Sequence, residues 1–309
     1  MKKYLINFLF IFLFSIPSHA DKLLKSGFLS DEWKLDTNFE VKDPKNKILI
    51  IYNHGQDEHD AAEKNCIWQN AVRNVASLSG KKVKNKEVLV YNFCTDHLAG
   101  DDWKRLWKKK FDFPYNGITK LDKRVNANLD LIRKFVELGV PNNQIFIQGH
   151  SCGGLVTMMF MSKYPGKAAG GISTNHACYG NLSYKYKVKK IGVQKALEKF
   201  KKKMPGPAYL REKQIKDISK AKNLPVLVFT HPKDPYEGLL SDWVEKIPGV
   251  KRIIISQDYK IKNKSCYMVG IKNGKRWKNQ IKKNAHFLPE ADCFQYYNPE
   301  IIKFIESKI

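Results

Sequence analysis

Outside its first twenty positions the chain has no apolar run of 18 residues, so nothing in its body is long enough to cross a bilayer as a helix. It has no C-x-x-C pair, which leaves zinc-ribbon and thioredoxin-like motifs without support. Arginine is scarce: Arg73, Arg105, Arg124, Arg133, Arg211, Arg252 and Arg276 stand against 48 lysines in a basic total of 55. Arg is the preferred residue for bidentate phosphate and base contacts, so this skew argues against nucleic-acid binding despite a net charge of +25. With abundant Asn and Ile, the lysine excess reads first as compositional bias of an AT-rich genome. Its second reading is attraction to an anionic membrane or polymer surface. There is no internal repeat and no linker-like stretch, so one domain with insertions over residues 21–309 is expected. Nothing in the sequence indicates an oligomeric state.

The 309 residues, 43% of them hydrophobic, are ample for one large packed α/β domain. The first twenty, MKKYLINFLFIFLFSIPSHA, carry Lys2 and Lys3, an apolar stretch from Tyr4 to Ile16, and a small-x-small site at Ser18-x-Ala20. This predicts a secretory signal peptide cleaved before Asp21, with an uncleaved membrane anchor as the rival reading. No cysteine directly follows the site, which argues against a lipoprotein. The expected location is periplasmic or secreted. In such a compartment the six cysteines (Cys66, Cys94, Cys152, Cys178, Cys266 and Cys293) are disulfide candidates, with 15 pairings open to them.

Six short apolar runs have the look of buried parallel strands: Ile48–Tyr52, Glu87–Asn92, Gln144–Gln148, Gly170–Thr174, Pro225–Thr230 and Arg252–Ser256. Helical patterns lie between them. LDKRVNANLDLIRKFVELG places Val125, Leu129, Ile132 and Val136 on one face and stops at Gly139 and Pro141. GGLVTMMFMSKYPG ends at Pro165-Gly166, and a last helix is expected with Asn298 as N-cap and Pro299 at its first position. Alternation of this kind predicts an α/β fold, a mainly parallel sheet with helices on both faces. Two segments break the rhythm. Residues 181–222 carry 14 basic and three acidic residues and suggest two helices around Pro205-Gly206-Pro207. This is either a basic cap over a site or an ordinary connection with solvated lysines. Residues 258–281 suggest a hairpin turning at Asn273-Gly274.

GHSCGG, residues 149–154, contains Gly149-x-Ser151-x-Gly153. At this glycine content such a pattern arises by chance in roughly one chain in twenty. Its place, between an apolar strand and a glycine-led helix, is far less common by chance. That is the strand–turn–helix context in which a serine is held exposed at a helix N-terminus as a nucleophile. A serine nucleophile needs a base, and the base needs an orienting carboxylate. Asp234 follows the strand PVLVFT, with Glu237 as reserve acid and Asp258 as a weaker one. His286, in KNAHFLPE, is the only histidine after His231 and the candidate base; otherwise it is a surface loop residue. An oxyanion site needs two backbone N–H donors. Cys152 would supply one. Gln56, in the loop YNHGQDEHD after the first core strand, would supply the other. His54 would pack against the elbow or shape that loop. Cys152 as nucleophile is disfavoured, because the turn presents its central residue.

NHGQ after a strand, the helix LDKRVNANLDLI, GHSCGG, SKYPGKAAGGIST, VFTHPKDPYE and AHF together resemble the α/β-hydrolase superfamily over about Ile48 to Ile309. The dienelactone-hydrolase-like and exported esterase branches look most similar. The resemblance implies the α/β-hydrolase fold, with a helical insertion and a C-terminal-side hairpin. It also implies a Ser151–His286–Asp234 triad that forms an acyl-enzyme, with no cofactor. The sequence departs from many relatives in having Cys152 after the serine and a long stretch before His286. Within that frame the cysteines suggest the pairs Cys66–Cys94, Cys152–Cys178 and Cys266–Cys293.

The expected activity is cleavage of a carboxylic ester on a small molecule or polymer. The alternatives are a secreted peptidase or acyltransferase of the same fold, and a catalytically silent binding protein for anionic surface polymer. His54, Asp57, His59 and Asp60 invite a metal reading, but their spacing matches no standard site, and no metal is expected.

Overall fold

The computed structural model describes residues 26–32, 34–55, 74–95, 98, 117–255, 260–261, 264–265, 267–272, 275–280 and 285–309. Residues 1–20, with the expected signal peptide, lie outside this set, as do Gln56, Asp57, His59, Asp60, Cys66, Asp258, Cys266 and the Asn273-Gly274 turn.

The main sheet holds nine strands: β1 (Gly27–Leu29), β2 (Leu35–Asp36), β3 (Lys47–Asn53), β4 (Lys82–Val83), β5 (Lys86–Phe93), β6 (Ile145–His150), β7 (Gly170–Thr174), β8 (Val226–Thr230) and β9 (Val250–Ile254). Their order is β2-β1-β5-β3-β6-β7-β8-β9, with β4 on β5. The six strands β5-β3-β6-β7-β8-β9 run parallel. The antiparallel additions β1, β2 and β4 have only two or three residues each, too few to show an apolar period in sequence. Between the strands lie α1 (Lys120–Glu137) and α2 (Cys152–Lys163). The basic insertion forms α3 (Leu182–Lys185), α4 (Val188–Ile191), α5 (Val193–Lys203) and α6 (Pro205–Ile218), and α7 (Asn298–Glu306) comes last. Beyond β9, a short pair β10 (Lys260–Ile261) and β11 (Lys264–Ser265) precedes the hairpin β12 (Tyr267–Lys272) and β13 (Lys275–Gln280), whose register ends at Lys272 opposite Lys275.

Alternate strand residues feed two cores, as a period of two requires. Leu49, Ile51, Ile147, Val226 and Val228 face α1, α2 and the insertion. Ile48, Ile50, Phe146, Leu227 and Phe229 face α7 through Ile301, Phe304 and Ile305. Both faces of the central strands are thus covered, which is why they read as unbroken apolar runs.

Three local expectations change. Pro205 does not separate two helices: Met204 is the break, and Pro205 opens α6, where its missing N–H and fixed φ suit the first turn. Asn298 lies inside α7, with Tyr297 as its cap residue. β9 is an edge strand rather than a buried one, and Ile254 is 54% exposed. In α5 only Ala196 and Phe200 are buried, while Lys195, Lys199 and Lys201 to Lys203 face solvent.

Candidate active site

β6 lies centrally, between β3 and β7, and the chain turns sharply at its carboxyl end. Ser151 sits in that turn with φ 56° and ψ −123°, a strained conformation for a side-chain-bearing residue. The flanking glycines permit it. A Cβ on Gly149 would lie 2.2 Å from the Gly153 carbonyl, and one on Gly153 would lie 2.1 Å from the Asn53 oxygen. Cys152 opens α2, so its backbone N–H is one of the helix's first-turn donors, at the positive end of the dipole.

The loop after β8 and the segment Ala285–Glu290 converge on this turn. Ser151 Oγ lies 2.8 Å from His286 Nε2, and His286 Nδ1 lies 3.0 Å from Asp234 Oδ2. Asp234 Oδ1 accepts the Tyr236 N–H at 2.8 Å, so both carboxylate oxygens are engaged. Tyr236 stacks on the His286 ring, centroids 4.0 Å apart. The His286 backbone is fixed as well: its carbonyl oxygen meets His150 Nε2 at 2.9 Å and accepts from Asn175 Nδ2 at 3.0 Å. Burial, and next the neighbouring His286, push the His150 imidazole down to about 3, so His150 stays neutral. A hydroxyl can thus pass its proton to an imidazole whose other nitrogen donates to a carboxylate. The Ser151 hydroxyl is also 3.1 Å from the Ala177 carbonyl, a second acceptor for its single proton.

The loop after β3 is anchored from α1. Arg124 Nη2 donates to the His54 carbonyl at 2.7 Å. Asn128 and Asn53 exchange amide hydrogen bonds of 2.8 and 3.0 Å. The His54 Nδ1 meets Gly55 O at 2.7 Å, and its Nε2 accepts the Thr95 N–H at 3.2 Å. Burial, then Arg124, hold the His54 imidazole well below its ordinary range. His54 therefore shapes the loop as a neutral ring and has both nitrogens committed there.

A family model described as phospholipase/carboxylesterase matches residues 103–201, about a third of the chain. Over that segment the chain is similar to this family, and its mainly parallel sheet covered by helices on both faces is an α/β architecture. No curated protein matches it significantly. Among solved structures it is similar to an esterase of Pyrobaculum calidifontis, at 16% identity over 86% of this chain and 78% of that one, with a TM-score of 0.47. A thermostable carboxylesterase cloned from a metagenomic library is 13% identical over 86% and 82%, TM-score 0.47. Esterases of Rhizomucor miehei are 13% identical over 87% and 78%, TM-score 0.46.

Glu237 engages Arg211 in a buried two-pronged ion pair, closest at 2.6 Å, and so does not serve His286 as reserve acid. Cys152 and Cys178 are joined in a disulfide. Cys94 and Cys293 are also disulfide-bonded, while Cys66 and Cys266 fall outside the described residues. Among the described residues no His, Cys, Asp and Glu cluster suited to a metal occurs. No helix among them is long and apolar enough to cross a membrane. Sequence reasoning missed Arg124, Asn128, Asn175, Tyr236 and His150. For Arg124 and Asn128 a signal existed: two polar residues one turn apart beside the apolar stripe of α1.

Proposed function

We propose that this protein is an exported serine hydrolase that cleaves a carboxylic ester. The observation that supports this reading is the unbroken hydrogen-bonded line from Ser151 Oγ through His286 to Asp234. Ser151 Oγ attacks the ester carbonyl carbon while its proton moves to His286 Nε2. Asp234 holds Nδ1–H and stabilises the imidazolium. The tetrahedral oxyanion is held by the Cys152 N–H, with a second donor from the Gly55-Gln56 loop. The intermediate collapses, the C–O bond to the leaving group breaks, and the alcohol takes the proton from Nε2. Water, deprotonated by His286, then releases the acid and regenerates Ser151.

Export is proposed from the leader at residues 1–20 and is consistent with the Cys152–Cys178 disulfide. A fluorophosphonate probe tests the chemistry. Wild type should be labelled and Ser151→Ala should not. Folded wild type that takes no label would favour a silent binding protein. A panel of esters and amides of matched acyl chain then separates esterase from peptidase.

A further inference from the structure

Arg211 and Glu237 form a buried ion pair beside the candidate acid that the proposed chemistry does not use. Arg211 comes from α6, in the basic insertion; Glu237 lies three residues beyond Asp234. The contact is a fork: Arg211 Nε to Glu237 Oε1 at 2.9 Å, and Nη2 to Oε2 at 2.6 Å. Arg211 Nη2 also donates to the Leu240 carbonyl at 3.2 Å. Both side chains are 6% exposed. The insertion is stitched to the same loop by backbone: Ser183 N–H donates to Tyr236 O at 2.8 Å and Tyr184 N–H to Pro235 O at 2.9 Å. Every residue from Asp234 to Glu237 therefore touches either the catalytic line or the insertion.

We propose that the Arg211–Glu237 pair is a positioning device through which the basic insertion sets the placement and the electrostatic surroundings of the Asp234–His286 couple. This inference rests on the serine-hydrolase reading. The fork fixes the loop at Glu237, and the short span back to Asp234 carries Tyr236, whose N–H holds Asp234 Oδ1 and whose ring covers His286. The charges matter as well. Burial pushes the Glu237 carboxyl up, Arg211 pulls it back, and Asp234 adds to the push. Paired, the two charges largely cancel at His286. A guanidinium cannot discharge when its partner is lost.

The groups around His286 make the outcome legible. Asp234, Tyr236 and Glu237 face it from the β8 loop, Ser151 from the elbow, and His150 from β6. His176, after β7, feels the charges of Arg211, Arg252 and His286. Arg252 is already neutralised by Asp242 and Glu245. Glu237→Gln therefore leaves one uncompensated buried cation near His286.

The experiment measures the pH profile of kcat/KM on a p-nitrophenyl ester, with kcat and KM at the plateau. In Glu237→Gln the acid limb should move to lower pH, on the order of half a pH unit, because a cation disfavours imidazolium. Arg211→Met/Glu237→Met removes both charges; its limb should stay at the wild-type position while kcat falls about tenfold with KM little changed. Arg211→Lys keeps the charge but loses the fork, and should also fall in kcat without moving the limb. A folded Glu237→Gln enzyme with an unmoved limb overturns the inference. If Glu237→Gln does not fold, the double variant decides: kcat within twofold of wild type overturns it. Wild type that takes no fluorophosphonate label overturns the serine-hydrolase reading instead, which separates the two failures.

Discussion

Tyr236 lies face to face on His286, with ring centroids 4.0 Å apart and planes 29° from parallel. An aromatic face against an imidazole restricts ring rotation and, under the proposed mechanism, favours the cation that would form during proton transfer. Tyr236→Phe should retain the stack and nearly full activity. Tyr236→Ala should lower kcat roughly threefold to tenfold, with the backbone hydrogen bond to Asp234 still available. Steady-state kinetics of the two variants side by side would check this; equal losses would assign the effect to the hydroxyl.

Under the proposed mechanism Asp234→Asn should reduce kcat by roughly 10³- to 10⁴-fold, since the amide favours the wrong imidazole tautomer. Glu237 should not rescue it, because its carboxylate is committed to Arg211. Only a small loss at the wild-type pH optimum would show that another acid does the work.

Cys152 and Cys178 link the residue expected to donate to the oxyanion with the neighbour of Ala177, whose carbonyl contacts Ser151. The closed loop spans 26 positions in sequence, for which chain entropy alone predicts a stabilisation of about 3.5 kcal/mol. Cys152→Ser/Cys178→Ser should lower the melting temperature and also kcat, with KM changing less. Thermal unfolding and kinetics of the double variant measure both. A stability loss with unchanged kcat would make the bridge a brace with no part in the chemistry.

The buried histidines predict acid lability. His150 and His176 are each pushed from an ordinary 6.5 to about 3, burial being the main cause. Their folded-state affinity for protons is depressed, so the stability they contribute is present above pH 6.5 and is lost as pH falls toward 3. Melting temperature should therefore drop steadily across that window. His176→Phe, which removes one titrating group packed on Trp243, should flatten the drop. An unchanged slope would locate the acid sensitivity elsewhere.

The central strands could be read from the sequence because both of their faces are buried, which leaves a continuous apolar run such as Ile48–Tyr52. β1 and β2 could not, since such short antiparallel strands depend on partner strands for their hydrogen bonds. The glycine spacing around Ser151 carries the elbow in the sequence because backbone crowding admits no side chain at Gly149 or Gly153. The order of Ser151, Asp234 and His286 was likewise visible, but their approach is a property of the folded sheet. Arg211 and Glu237 were hidden for the same reason: a lysine-rich insertion gives no sign that its one arginine points inward.

The contact between Ser151 and His286 joins positions 135 apart in the chain, and that between His286 and Asp234 joins positions 52 apart. No local segment, however well formed, contains a working set. Under the proposed mechanism, turnover counts only molecules in which elbow, β8 loop and C-terminal segment have all docked. Recovery of hydrolysis after dilution from denaturant would accordingly trail the return of helical signal, making catalysis itself a late-stage clock for the folding of this chain.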